Sequence, residues 1–103
     1  MGFMDMLLGS SKKSKIEEMI KAGAVVVDVR TRAEFQGEHV AGSTNIPLSE
    51  LDKNIDKLKK MNKPIVLCCA SGVRSGQAKS ILESNGLVDC ENGGGWMRVN
   101  SCM

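Results

Sequence analysis

Two short apolar runs set the limits on what this chain can become. Ala24 to Val29 reads A-V-V-V-D-V and Ile65 to Cys68 reads I-V-L-C, neither with the alternation of a strand that keeps one face wet. β-branched runs of this kind are buried on both faces, which is the condition of strands in a parallel sheet covered by helices. Helix signals follow both. Thr31 and Glu34 make a capping box directly after the first run, predicting a brief helix that carries Ala33 and Phe35. Beyond the second, Gly76 to Leu82 sets Ala78, Ile81 and Leu82 at helical spacing, and Asn85-Gly86 closes that helix as a left-handed cap.

The remaining segments continue the alternation. Ser14 with Glu17 is a capping box opening an amphipathic helix, with Ile16, Met19 and Ile20 on one face and an end near Gly23. Gly37 to Ser43 reads as a loop and Thr44 to Pro47 as a minimal strand. Ser49 and Asp52 then cap a helix carrying Leu51, Ile55 and Leu58, while Lys57, Lys59, Lys60 and Lys63 read as its solvated side. Leu87 to Glu91 supplies the last strand, and Gly93-Gly94-Gly95 opens onto Trp96, which covers the core near the last helix. Met61 and Met97 read as gap-fillers on helix faces, and Cys90 as packing. The expected fold is α/β: a central parallel sheet of four to five strands with helices on both faces. The opening Met-Gly-Phe-Met-Asp-Met-Leu-Leu is interrupted by Asp5 and too short to span a bilayer, so it reads as a short strand or docking tail. The organisation is thus an N-terminal segment over 1–13, whose structure the pattern leaves open, and a single domain over 14–103.

Composition narrows the function classes. With 103 residues the chain can bury one core without staples. A net charge of +2, aromatics at 3% and no tyrosine offer little to nucleic acid. The four cysteines, Cys68, Cys69, Cys90 and Cys102, match no zinc spacing and suggest no disulfide framework. With no secretory signal in front of them, a reducing cytoplasm is the expected compartment. Cys102 falls near a mobile terminus, as an adventitious or resolving thiol.

The chemistry concentrates in Cys69-Ala70-Ser71-Gly72-Val73-Arg74-Ser75, a cysteine leaving a strand, a glycine-bearing loop, an arginine and a helix start. Ligands bind at the carboxyl ends of strands in open α/β sheets. A loop of this shape turns its N–H groups inward to hold an anion, backed by the positive end of the helix that follows. Arg74 adds a permanent charge that lowers the thiol pKa and grips an oxyanion. The plainer reading is a buried cysteine beside a chance arginine, with Gly72 making a turn. Counted from Cys68 the loop is C-x5-R, the spacing of a phosphate cradle; counted from Cys69 it is C-x4-R, a tighter one.

Several segments together resemble the single-domain rhodaneses, a sulfurtransferase family. They are V-V-D-V-R over Val26 to Arg30, Glu34-Phe35, H-V-A-G-S-T-N-I-P-L over His39 to Leu48, the loop from Cys69 to Ser75, and Gly94-Gly95-Trp96. The order is right and the coverage runs from about residue 16 onward. Glu38 stands where the family often has glycine, and Ala41 replaces a common proline. The resemblance implies a three-layer rhodanese-like fold and a persulfide cycle, in which Cys69 takes sulfane sulfur from thiosulfate or a similar donor and gives it to cyanide or a thiol. Backbone N–H groups from Ala70 to Ser75, that is Ala70, Ser71, Gly72, Val73, Arg74 and Ser75, would stabilise thiolate and persulfide, with Arg74 on the donor's sulfonate. A protein sulfur-relay partner fits the same chemistry; no nucleic acid, membrane, metal or organic cofactor is implied. Alignment with the flanking segments puts the nucleophile at Cys69, and Cys68 continues the apolar strand as a buried small hydrophobe. The alternatives are a phosphatase or arsenate reductase working through Cys68, and a non-catalytic binding module, which the presence of Cys69, Gly72 and Arg74 argues against. Asp28, Arg30 and His39 read as structural support for neighbouring loops.

Overall fold

The computed structural model describes residues 2–103, with side chains from Lys12 onward. In chain order the elements are α1 (Gly2–Lys21), β1 (Val25–Asp28), α2 (Arg32–Gly37), β2 (Thr44–Asn45), a 3-10 helix (Leu48–Asn54), α3 (Ile55–Met61), β3 (Ile65–Cys69), α4 (Val73–Ser84), β4 (Cys90–Gly95) and α5 (Trp96–Asn100). Four parallel strands form one sheet in the order β2-β1-β3-β4. Among the described residues no helix is long and apolar enough to cross a membrane.

The two apolar runs become the central pair, β1 and β3, in register Val25↔Ile65 to Asp28↔Cys68. Alternate side chains enter two separate cores. Val27, Val29, Ile65, Leu67 and Cys69 face the 3-10 helix, α3 and α4, meeting Leu51, Leu58, Ala78 and Leu82. Val26, Val66 and Cys68 face the other way, against Ile16 of α1, Val40, Val99 of α5 and Cys102. Helices therefore cover both faces, and the polar groups at the strand ends lie at one rim.

Several boundaries differ from the sequence expectation. Ser14 is not a helix start, because α1 runs from Gly2 and Ser14 lies inside it; the opening segment, read as a short strand or docking tail, is helical over Gly2–Leu8, while Met1 lies outside the described residues. Its second half is tied down by Lys12 and Lys15, which with Lys79 of α4 converge on Glu91 of β4 at 3.2, 2.7 and 3.1 Å. Burial opposes ionisation of Glu91, but those three ammonium groups overcome it and hold the carboxyl at about 2. Ser49 and Asp52 provide no cap; the turn after Pro47 is a 3-10 helix whose N-terminus has no side-chain hydrogen bond. β2 has two residues, though Ile46 and Leu48 continue to donate to the carbonyls of Asp28 and Val29. Cys102 is not a mobile thiol but packs into the second core, and Met97 is 67% exposed and fills no gap.

The largest displacement concerns the last strand. Leu87 is taken up by the turn that closes α4, its N–H donating to the Leu82 carbonyl at 2.9 Å, so the strand begins only at Cys90 and takes in all three glycines. Two of them are there for close approach. A Cβ on Gly93 would lie 2.5 Å from Val99 Cγ2, and one on Gly95 would lie 2.9 Å from the Ala70 carbonyl. Pairing goes from Leu67↔Asn92 to Cys69↔Gly95, an extra residue on β4 that is taken up by Gly94 at φ +87°. This bulge carries β4 underneath the loop that follows β3.

Candidate active site

β1 connects to β2 on one side of the sheet, and β3 connects to β4 on the other. The carboxyl ends of β1 and β3 are therefore a point where strand order diverges, leaving a crevice between two loops. Cys69 is the last residue of β3, and Arg30 to Thr31 leave β1 beside it.

Gly72 is the hinge of the loop. It sits at φ +104°, where a Cβ would also press to 3.3 Å from Gly94 Cα, so both conformation and space call for glycine. In that conformation its N–H donates to Cys69 Sγ at 2.9 Å, and α4 begins at the next residue with its positive end beside the sulfur. The buried Ser75 hydroxyl lies 3.4 Å from the same sulfur. Burial pushes the Cys69 thiol up, but the Ser75 hydroxyl and the N–H groups of Ser75, Ser71 and Gly72 outweigh it and bring the pKa down to about 7. Ala70, Ser71 and Val73 are exposed at the top of the loop, Val73 at 69%.

Cys68 meets the opposite fate one residue earlier. Both side chains are buried, Cys69 at 1% and Cys68 at 0% exposure, but that of Cys68 points into the second core, where burial and the nearby Asp28 push its thiol up to about 12. The two adjacent thiols differ because a strand sends successive side chains to opposite faces. Iodoacetamide is expected to alkylate Cys69 of the folded protein with a rate that rises through a midpoint near pH 7, while Cys68 stays unmodified to pH 9. Peptide mass mapping across pH reads both, and a Cys69 midpoint near the free-thiol value of about 8.5 would contradict the loop's role.

Arg74 is not free in the crevice. Its guanidinium is bidentate on Glu34 of α2, at 2.7 and 3.0 Å, bridging the loops that follow β1 and β3. Glu34 also accepts from the Thr31 N–H at 3.0 Å, and the two contacts together, Arg74 foremost, hold its carboxyl down at about 2. The same side chain thus completes the α2 capping box and grips the active loop; the sequence reveals only the first role. Hydrogen bonds within the loop dominate the lowering of the thiol pKa, and Arg74, whose own pKa the Cys69 charge raises, adds a smaller Coulombic contribution.

Asp28 and Arg30 form a buried pair with Nη2 to Oδ2 at 2.7 Å, and Arg30 also donates to the Glu38 carbonyl at 2.7 Å. The guanidinium lies 5.1 Å from the centroid of the half-buried Trp96 ring. Asn45 Nδ2 joins the same region by donating to the carbonyls of Asp28 and Arg30. His39 is exposed and engages Phe35, with Nδ1 2.6 Å from its carbonyl and the rings stacked at 3.7 Å. Among the described residues no group of three or more His, Cys, Asp or Glu side chains could hold a metal ion.

Asn92 on β4 is a site residue that the sequence reading passed over. Its amide donates to the Gly72 carbonyl at 3.0 Å, and its Oδ1 lies 2.7 Å from Ser75 Oγ while accepting the Gly94 N–H at 2.9 Å. No local signal marks it, because the strand expected from the sequence ends at Glu91 and Asn92 enters the sheet only because β4 runs on through the glycines.

A family model described as the rhodanese-like domain matches residues 12–100. The chain belongs to the rhodanese-like domain family. This rhodanese-like domain is 40% identical over 83 residues to YqhL of Bacillus subtilis (strain 168), named an uncharacterized protein, covering 78% of this chain and 65% of that one. It is 41% identical over 70 residues to the thiosulfate sulfurtransferase PspE of Escherichia coli (strain K12), covering 67% of each. It therefore spans about two thirds of the length of these curated relatives. Among solved structures, a rhodanese with anions from E. coli matches at a TM-score of 0.68 and 38% identity, over 74% of this chain and 91% of that one. The rhodanese fold is thereby shared, with its four-stranded parallel sheet, and sulfurtransferases stand among the relatives.

Proposed function

We propose that this rhodanese-like domain is a sulfurtransferase that carries sulfane sulfur on Cys69. The observation that carries the reading is the contrast between two neighbouring thiols. Cys69 has a pKa of about 7 and its sulfur is held by the Gly72 N–H, while Cys68 is shut in the core at about 12. The 41% identity to a thiosulfate sulfurtransferase supports the same chemistry.

In the first half-reaction the Cys69 thiolate attacks the outer sulfur of thiosulfate. A new S–S bond forms, the sulfur–sulfur bond of thiosulfate breaks, and sulfite leaves with the electron pair. The persulfide that remains carries a negative charge on its terminal sulfur, within a loop already lined with N–H donors. A nucleophilic acceptor, cyanide or a thiolate, then attacks that terminal sulfur and releases the Cys69 thiolate. With cyanide the product is thiocyanate, and neither half needs an external oxidant. Two of the five Arg74 N–H groups serve Glu34, leaving three to meet the sulfonate oxygens of the donor. A protein acceptor in a sulfur relay would use the same second step, and a cytoplasmic setting fits a cysteine that has to stay reduced between turnovers.

The test is the mass of the protein after thiosulfate treatment and removal of excess reagent. We expect a gain of one sulfur, mapped to the peptide carrying Cys69 and removed by cyanide with release of thiocyanate. No added sulfur, together with hydrolysis of an aryl phosphate, would replace this reading with phosphate chemistry through Cys68. Silence in both assays would favour a binding module.

A further inference from the structure

The Cys69 sulfur is held by a loop, and that loop is in turn held by one side chain from a different strand. Asn92 uses both ends of its amide on the loop and its surroundings. Nδ2 donates to the Gly72 carbonyl at 3.0 Å, and Oδ1 accepts from the Gly94 N–H at 2.9 Å and lies 2.7 Å from Ser75 Oγ. Gly72 and Ser75 are also the residues whose N–H and hydroxyl meet Cys69 Sγ, at 2.9 and 3.4 Å. Among the described residues no other side chain of β4 hydrogen-bonds to both of them. We infer that Asn92 is a positioning residue for the Cys69 nucleophile, fixing the Gly72 peptide and the Ser75 hydroxyl in the orientation that stabilises a negative sulfur. The inference rests on the reading of Cys69 as the reactive thiol.

The geometry explains how such a role works. Gly72 has no side chain of its own to fix it, and its left-handed φ of +104° lies in a region that glycine enters and leaves freely. Its carbonyl accepts from the Gly76 N–H of the first turn of α4 and from Asn92 Nδ2, both at 3.0 Å, and the second bond ties it to β4 and restricts that freedom further. Gly76 leaves the room for it, since a Cβ there would lie 3.3 Å from Nδ2. Ser75 has a single hydroxyl proton and two acceptors within reach, so the proton serves either Asn92 Oδ1 or the sulfur at any moment. With a neutral thiol it goes to Oδ1, the shorter contact. When the sulfur is ionised it swings to Sγ, and Oδ1 keeps the Gly94 N–H.

Two effects of opposite sign follow from removing the amide. Losing the Oδ1 acceptor frees Ser75 for the thiolate, which favours ionisation. Losing the Nδ2 tie lets the Gly72 N–H drift from the sulfur, which disfavours it. The second prevails, because a hydrogen bond to an ionised group is roughly twice as strong as one between neutral partners. The charged groups around the sulfur stay in place through the change: Arg74 with Glu34 from α4 and α2, the Asp28–Arg30 pair from the end of β1, and neutral Cys68. Lys12 and Arg98, which share with Asn92 and Gly72 a hollow of about 290 Å³ beside the loop, are also retained.

The experiment compares wild type with Asn92→Leu, which keeps the branched shape and removes the hydrogen bonds, and with Asn92→Gln, which restores an amide. The readout is the pH dependence of Cys69 alkylation by iodoacetamide, which needs no sulfur transfer. Asn92→Leu is expected to raise the midpoint by about one pH unit, and Asn92→Gln to recover part of the shift. A midpoint in Asn92→Leu equal to or below that of wild type overturns the proposal. If the wild type itself shows no near-neutral midpoint, the reading of Cys69 fails instead, which keeps the two failures apart. A second measurement needs no variant at Asn92: in wild-type protein the Asn92 side-chain amide signals in an NMR titration should move with the Cys69 midpoint and stay still in Cys69→Ser. Flat signals in wild type overturn the proposal even if Asn92→Leu fails to fold.

Discussion

Cys69→Ser is expected to lower thiosulfate-to-cyanide sulfur transfer by at least about 10⁴-fold, since replacing a nucleophile removes the covalent route and leaves only binding. A serine hydroxyl in the same loop has no ionised form to offer near neutral pH, and it cannot hold a sulfur as a persulfide. Cys68→Ser is expected to keep turnover within a few-fold of wild type and to lose stability instead. Its new hydroxyl would sit in an apolar cluster with Val26, Val66 and Val99, a burial that costs about 1–3 kcal/mol without a partner. Turnover of the purified variants, with urea denaturation of each, separates the two roles. If Cys68→Ser loses turnover while its fold is intact, or Cys69→Ser retains it, the assignment of the nucleophile is wrong.

The difference between these neighbours is legible in part in the sequence. Cys68 ends an uninterrupted apolar run and Cys69 opens a glycine-bearing loop, so period and loop chemistry already pull them apart. The sheet was legible for the same reason, because β1 and β3 carry patterns that tolerate no wet face. What failed were features decided by partners distant in the sequence. The helix start at Ser14 and the cap at Ser49 are local patterns that the surrounding structure does not use. The triple glycine falls outside the strand expected over Leu87 to Glu91; it lies in β4 because Val99 and the Ala70 carbonyl approach Gly93 and Gly95 too closely for any side chain, with Gly94 taking the left-handed turn of the bulge. Glu34 could be read as a capping residue but not as the partner of Arg74, 40 residues away. Asn92 had no local pattern at all, and its meaning depends on a bulge that brings β4 beneath the loop.

The largest expected effect on stability lies at the end of β1. Arg30→Ala should destabilise the fold by about 3–5 kcal/mol, the cost of leaving a buried carboxylate without its partner. Asp28 is fully buried and receives three contacts from the Arg30 guanidinium, and the same side chain anchors the Glu38 carbonyl and lies over Trp96. Domains of this size are stable by about 5–15 kcal/mol, so the loss would be a large fraction of the total. Asp28→Leu combined with Arg30→Met should be less damaging than Arg30→Ala alone, since removing both charges leaves nothing buried and unpaired. Urea midpoints of the single and double variants decide this, and a loss below about 1 kcal/mol in Arg30→Ala would mean that the pair is not the strut described here. The consequence reaches the active loop, because the segment held by Arg30 continues into Thr31 and Glu34, and Glu34 is what holds Arg74. Conditions that weaken the Asp28–Arg30 pair should therefore release Arg74 from its bridge before they disturb the Gly72 N–H, which is fixed from the opposite side by β4.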